Sequence, residues 1–563
     1  MNLKKIIPLI LPLLWGSMVF SQVPKEPKLI LQITVDQLRG DLPTKYMKNM
    51  GEGGFRYLLE QGIWYTNAHY GHANTETVVG HTILATGADP SINGMIANVW
   101  YDREKGKLVY NIEDEDYKIL SDNADVDKST ELDASQDIAS VEGRSPKNIM
   151  VTTFSDELFL KTNGKSKVFG VSVKDRGAVT LAGHTGKAFW FSKSNGEFIT
   201  STYYYEEYPE WVNNWNKQNI PAKIFSGKAW ELMNDKSTYM YGEEDNMPWE
   251  TDVAGFGITF PHEYKTSENK YFTNFLTYSP AGDDITLDFA KALVKNEEMG
   301  KDEITDYLSI SFSSTDYVGH LFGQSSLEAE DNMLRLDKTL ANLFAFIDKE
   351  VGLENTLIVL SADHGGPEAP GYLKSKGIES GFVSPDKWDK EPAIEALKKK
   401  FGIGQELIKE FFPPYLYLNE KIIAEKGLSL EEVEKAVAFE LMKIKGIALA
   451  VSSYSLQKNE LADTYLNRKA LRNFNATRSG NLLILFQPQY SINDYMGEKT
   501  SANHGGPWMY DSYVPVIFAG MHLKKQRISR KIEPKDIVST LSNLMGTKPP
   551  SGADGEVLQE IVK

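Results

Sequence analysis

The chain contains no cysteine. That absence excludes disulfides, thiol nucleophiles, thiolate-held zinc and a lipid-anchored N-terminal cysteine. Basic charge is also scarce: 61 Lys and Arg against 77 Asp and Glu leave a net charge of −16, which argues against nucleic acid as a partner. No uninterrupted apolar run reaches membrane-spanning length, so no membrane anchor is expected. Histidine is rare, nine in 563 residues, and the context of each one is therefore informative. What remains is 41% hydrophobic and 11% aromatic, an ordinary globular composition, at a length that accommodates a large α/β domain with insertions.

At the N-terminus, Lys4-Lys5 precedes an apolar stretch from Ile6 to Gly16 and a small residue at Ser21. This is the layout of a secretory signal peptide, residues 1–21, cleaved near Ser21 or Gln22. Pro8 and Pro12 interrupt the apolar part, which is too short to span. Export to the periplasm is the expected location, and a large core makes disulfides dispensable there.

Residues 29–35 read as a buried strand that ends on Asp36, and a helical stretch is expected near Tyr46 to Gln61. In 73–87, polar residues lead to Thr77, an apolar run follows, and Gly87 supplies the stop, as for a loop entering a helix. Free backbone N–H groups and the helix dipole favour an anion at such a start, although a plain helix cap has the same appearance. Asn98 follows in a turn-rich stretch as an uncharged donor. Residues 167–173 form another expected strand, ending on Lys174-Asp175-Arg176. Two cations two apart at a strand edge point the same way, which makes an oxyanion clamp if they face Thr77.

The strand expected at 307–312 precedes Asp316 and His320, four apart and so on one face of a helical turn. A helix is expected from about Ser326 to Glu350, with apolar Met333, Leu336, Leu340, Leu343 and Ile347 at intervals of three and four. The strand at 356–361 leads to Asp363-His364-Gly-Gly, and His504-Gly-Gly repeats that pattern before a late strand at 514–518. Alternating strands and helices imply an α/β fold, a mostly parallel sheet sandwiched by helices. The core is expected over 28–371, with an aromatic-rich insertion at about 196–265 that packs on it. An α+β cap segment follows at 372–500, and 501–563 completes the core. The acidic residues of 112–136 (Asp122, Asp125, Asp127, Glu131, Asp133) miss the calcium-loop spacing and are expected to be solvated.

Singly, an Asp or His at a strand end is usually structural. Asp36, Asp316, Asp363, His320, His364 and His504 together offer six imidazole and carboxylate donors, which suit zinc and divide into two sites of three. With Thr77, Asn98 and the Lys174/Arg176 pair, they favour a two-metal enzyme.

These motifs, from Val35-Asp36 and Thr77-Val-Val-Gly-His81 to His504-Gly-Gly, resemble those of the alkaline phosphatase superfamily. Within it the chain is similar to the PafA-type phosphatases of Bacteroidetes bacteria, over nearly all of the expected mature length. The resemblance implies a zinc-dependent monoesterase that acts on small phosphomonoesters as a monomer, through a phosphothreonine on Thr77. One zinc would be held by Asp316, His320 and His504, and the other, beside Thr77, by Asp36, Asp363 and His364. Asn98, Lys174 and Arg176 would hold the phosphate oxygens. Many relatives have proline where this chain has Val79, a difference expected to alter loop stiffness only. His72, His81 and His184 match no ligand position and are expected to be structural. A phosphodiesterase or nucleotide pyrophosphatase on the same core is the nearest alternative, and Lys174 with Arg176 favours the extra charge of a monoester. An inactive metal-binding paralogue is a further alternative, disfavoured by intact ligands. A sulfatase is disfavoured because the precursor of its formylglycine is missing.

Overall fold

The computed structural model describes residues 26–562 apart from 132, 493, 496 and 497, so the expected leader at 1–21 lies outside the described residues. The fold is built outward from Leu29–Val35 (β1), which is buried along its whole length. Its side chains alternate between two apolar clusters: Leu29, Leu31, Ile33 and Val35 enter one, and Ile30 enters the other. A strand covered on both faces reads as continuous apolar sequence, as this one does. The remaining strands of its sheet are Ile63–His69 (β2), Val168–Ser172 (β3), Lys187–Phe191 (β4), Phe198–Ile199 (β5), Asp306–Phe312 (β6), Thr356–Ser361 (β7), Tyr513–Gly520 (β8) and Gln526–Ile528 (β9).

The nine strands lie in the order β9-β2-β8-β7-β1-β6-β3-β4-β5. β1 is flanked in parallel by β6 and β7, and β3 and β4 extend the parallel part. β8 runs antiparallel to both β7 and β2, so the sheet is mixed but mostly parallel. The stretch expected as helix from Tyr46 to Gln61 holds only short turns and the helix Phe55–Gln61. β2 follows it directly, and its Ile-Trp-Tyr-Thr start suits a strand as well as the neighbouring residues suit a helix.

Four helices place the site: Thr77–Thr86 (α1), Asp175–Ala182 (α2), Ser314–Phe322 (α3) and Leu327–Glu350 (α4). α4 is capped by Ser326, whose hydroxyl accepts from Ala329 N, and it buries Met333, Leu336, Leu340, Leu343 and Ile347 as the periodicity requires. The aromatic-rich stretch packs on the core. Phe198 stacks on Phe289 at 4.0 Å between ring centres, and Trp215 meets both rings edge-on. Between β7 and β8 lies a four-stranded antiparallel sheet with its own apolar cluster, whose strand Leu482–Phe486 sits between Tyr415–Leu418 and Ile447–Ser452.

Candidate metal centre and catalytic pocket

Parallel strands that end together leave their following residues on one edge, where open α/β folds bind ligands. Asp36 follows β1, α3 with Asp316 and His320 follows β6, and Asp363-His364 follows β7. Because β6, β1 and β7 are adjacent and in register, these acids and histidines converge without any long loop.

Asp36, Asp316, Asp363 and His364 are buried, and each of the three candidate ligand histidines is oriented by the same device. Nδ1 of His320 lies 2.9 Å from Ala502 O, Nδ1 of His364 2.8 Å from Gly365 O, and Nδ1 of His504 2.9 Å from Thr75 O. A proton on Nδ1 donates to the carbonyl and leaves the lone pair on Nε2, the form a metal ligand requires. Nε2 of His320 and of His504 each lies 3.3 Å from Asp316 Oδ1, and Nε2 of His364 lies 3.4 Å from both Asp36 Oδ1 and Asp363 Oδ2. Ligand atoms of Asp36, Asp363 and His364 fall within 4.8 Å of one another, as do those of Asp316, His364 and His504. His364 thus stands between the two groups, its ring stacked on that of His504 at 3.7 Å.

Asp36 Oδ1, Asp363 Oδ2 and His364 Nε2 are buried and make no hydrogen bond of good geometry; their polar neighbours are one another and, for Asp363 Oδ2, the His81 ring at 3.1 Å. Orphaned buried polar atoms are costly. Three of them facing one another, all hard or borderline donors, fit a divalent cation. Electrostatics agree. Burial, then the charges of Asp316 and Asp363, push the Asp36 carboxyl well above its ordinary range. Burial acts in the same sense on Asp316, but Lys174 overrides it and holds that carboxyl well below the range. Burial also depresses His364, to about 3, so its imidazole is neutral and able to ligate.

Lys174 and Arg176 do not act on the same partners here. Lys174 Nζ bridges Asp36 Oδ2, at 2.7 Å, and Asp316 Oδ2. Arg176 donates from Nη2 to Asp133 Oδ2 at 2.9 Å and from Nη1 to the Tyr110 hydroxyl at 3.2 Å. The two-residue alternation expected of them holds only within a strand, and β3 has already ended at Ser172. Lys174 precedes α2, whereas Arg176 lies in its first turn, and two helical residues stand far apart around the axis. Asp133, from the segment expected to be solvated, is half-buried against Arg176, where the cation offsets the desolvation of its carboxylate.

Thr77 opens α1, with Glu76 and not Thr77 in the capping position. Asn98 accepts from Val78 N through Oδ1 at 3.0 Å, which leaves its Nδ2 as the free donor. Thr77, Asn98, Arg176, His320 and His504 line one cavity. Several contributors escaped the sequence reading. Gln37, at φ 63, donates from its backbone N to Asp363 Oδ1 at 3.1 Å and from Nε2 to Asp316 Oδ1 at 2.6 Å, tying the two groups together. Its only sequence signal is the neighbouring Asp36. Glu76 accepts from Asn98 N at 2.6 Å, and burial raises its carboxyl to about 7. His81, expected to be structural, contacts Thr77 O at 2.8 Å, Ser311 Oγ at 2.9 Å and Asp363 Oδ2 at 3.1 Å, so it braces the start of α1 against the metal centre.

A family model described as type I phosphodiesterase / nucleotide pyrophosphatase matches residues 30–507. The chain is 36% identical to alkaline phosphatase PafA of Elizabethkingia meningoseptica over 550 residues, 97% of this chain and 96% of that one. It is 33% identical to alkaline phosphatase PhoV of Synechococcus elongatus over 556 residues, 97% of this chain and 94% of that one. The crystal structure of wild-type PafA superposes with a TM-score of 0.85 at 34% sequence identity, covering 96% of this chain and 99% of the other. Identity of this degree across the full length, together with the shared fold, shows that the chain belongs to the type I phosphodiesterase / nucleotide pyrophosphatase family and is a PafA-like phosphomonoester hydrolase of the alkaline phosphatase superfamily.

Proposed function

We propose that the enzyme is a two-zinc alkaline phosphatase in which Thr77 carries the phosphoryl group as a phosphothreonine. The observation that carries this reading is the set of buried atoms without hydrogen bonds, Asp36 Oδ1, Asp363 Oδ2 and His364 Nε2, grouped through His364 with Asp316 and His504, which line the same cavity as Thr77. Asp36, Asp363 and His364 would hold one zinc, and Asp316, His320 and His504 the other. Bound there, the ions supply Lewis acidity, which lowers the pKa of a coordinated hydroxyl and stabilises a leaving oxygen.

The chain's own residues do the rest. Thr77 Oγ1 attacks phosphorus in line: the threonyl O–P bond forms as the ester P–O bond breaks, and the alcohol departs with a proton. Water then attacks from the vacated side, releasing inorganic phosphate and restoring the threonine hydroxyl. Asn98 Nδ2 and Arg176 would hold the non-bridging oxygens, joined by Lys174 once bound ions compensate Asp36 and Asp316, which it bridges here, so positioning and charge carry the catalysis. The extra negative oxygen of a monoester rewards both cations, and this favours monoesters over the diesters in the family's name.

Export by the leader at 1–21 would place a monomeric enzyme in the periplasm, and no helix among the described residues is long and apolar enough to cross a membrane. Zinc-loaded enzyme should hydrolyse an aryl monoester far faster than the matching diester. Thr77→Ala should lower monoester turnover by about 10³-fold or more, and retained turnover removes Thr77 from its role. Lys174→Ala/Arg176→Ala should cost the monoester more than the diester. Equal losses would overturn the assignment of those two residues.

A further inference from the structure

The lining of the cavity is of two kinds. One part is polar, with Asn98, Arg176, His320 and His504. The other is an apolar wall: Leu485 and Phe486 end the strand Leu482–Phe486, Pro414 comes from the turn beside it, Leu321 from α3, and Trp508 from the segment after His504. That wall is fixed across two parts of the chain. Trp508 Nε1 donates to Phe486 O at 2.9 Å, and the Tyr510 hydroxyl accepts from Gln489 N at 2.9 Å. Among the described lining residues Arg176 is the only lysine or arginine, and Asp133 already pairs with it. Glu368 also lines the cavity, with Oε1 on Arg39 and Oε2 unpartnered.

We propose that this wall is a leaving-group subsite that selects monophosphate esters of aromatic and other apolar alcohols, and disfavours alcohols bearing further negative charge. The inference rests on the phosphomonoesterase reading. A phosphoryl group seated among Thr77, Asn98 and Arg176 leaves the remaining lining of the cavity, the apolar wall included, to its alcohol. An apolar alcohol there exchanges water for Trp508, Phe486 and Leu485, which is favourable in proportion to area buried and more so for a ring against Trp508. A second phosphate would lose its hydration against apolar side chains and Glu368, with no lysine or arginine but the already paired Arg176 among the described lining residues to compensate. Affinity for the phosphoryl group and discrimination among alcohols are therefore assigned to different residues.

The test uses zinc-loaded enzyme and three substrates whose alcohols are of similar acidity, so intrinsic reactivity differs little: ethyl phosphate, 2-phenylethyl phosphate and ethane-1,2-diyl bisphosphate. Wild type is expected to show kcat/KM for 2-phenylethyl phosphate about 10-fold or more above that for ethyl phosphate, from burial of the ring, and the bisphosphate below both. Trp508→Ala and Phe486→Ala should bring the 2-phenylethyl to ethyl ratio towards unity, with the change in KM, and Trp508→Phe should keep most of the preference. Equal kcat/KM for all three substrates in wild type, or a ratio unmoved by the alanine variants, overturns the subsite. Failure of wild type to hydrolyse even ethyl phosphate would instead count against the phosphomonoesterase reading itself.

Discussion

The guanidinium of Arg176, which we propose binds phosphate, is held at the cavity by other groups. Asp133 takes Nη2, the Tyr110 hydroxyl takes Nη1, and Tyr110 is in turn held by Asp175 Oδ1 at 2.6 Å. Asp175 also accepts from Arg144 Nε at 2.9 Å, so two buried arginines, the buried Asp175 and the half-buried Asp133 form one network. Asp133→Asn keeps the shape but removes the charge opposite Arg176. Breaking a buried pair costs about 3–5 kcal/mol at the upper end, less where water reaches the group, and misplacement of the arginine should lower monoester kcat/KM by about 10-fold. Burial works against the charged form of Asp133, yet Arg176 first, then Lys193 and Lys174, hold its carboxyl well below the usual range. The folded-state pKa is therefore the lower one, and the stability it contributes is present above the unfolded value of about 4 and lost as pH falls below it. Unfolding of wild type and Asp133→Asn, followed by denaturant from pH 7 to pH 3, should show a difference that is constant near neutrality and shrinks towards acid. A difference that grows towards acid would contradict the assignment.

At the scale of elements, the site depends on how closely α1 lies against the loop after β7. Gly80, on the second turn position facing that loop, makes this approach possible: a Cβ there would lie 1.9 Å from Asp363 O and 2.7 Å from its Cα. Backbone cannot move aside as a long side chain can, so Gly80→Ala must displace α1 or Asp363. Overpacking of this kind costs about 1–3 kcal/mol or more, and the displacement separates Thr77 from Asp36, Asp363 and His364. Gly80→Ala is expected to lose about 10²-fold or more in turnover, through kcat more than KM, with a lower melting temperature by calorimetry. Wild-type turnover in this variant would show that the contact is not required. The glycine was visible in the sequence as part of Thr77-Val-Val-Gly-His81, but its reason is a contact with a residue 283 positions later, which no local pattern discloses. α4 is the opposite case. Its start, its length and its buried stripe were all legible, because a cap and a 3.6-residue period are properties of neighbours in sequence.

For the whole molecule, three carboxylates and three imidazoles are gathered where β1, β6 and β7 end, with Lys174 bridging two of those acids. Zinc that binds this set in the folded state and not in the unfolded chain stabilises by mass action. Metal analysis of enzyme dialysed against zinc should return about two equivalents per chain from two three-ligand sites. Chelation should abolish turnover and lower the melting temperature, and zinc should restore both. Asp36→Asn should reduce the metal content towards one equivalent; an unchanged content would remove Asp36 from the ligands.

The sequence by itself determined where the strands end and that Asp36, Asp316, Asp363, His320, His364 and His504 stand in ligand contexts. Strand composition, helical period and donor chemistry are local properties, readable one segment at a time. It left β2 unseen behind an apparent helix, and it did not show that β8 runs against its neighbours, because strand direction is fixed by pairing partners far along the chain. Only the tertiary structure decided that Lys174 and Arg176 part company, that Gln37 joins the two candidate ligand groups, and that an acidic segment sends Asp133 against the arginine. Each of these is a contact between residues distant in sequence, formed by burial that brings a charge to its counter-charge, and burial exists only once the sheet and its insertions have packed.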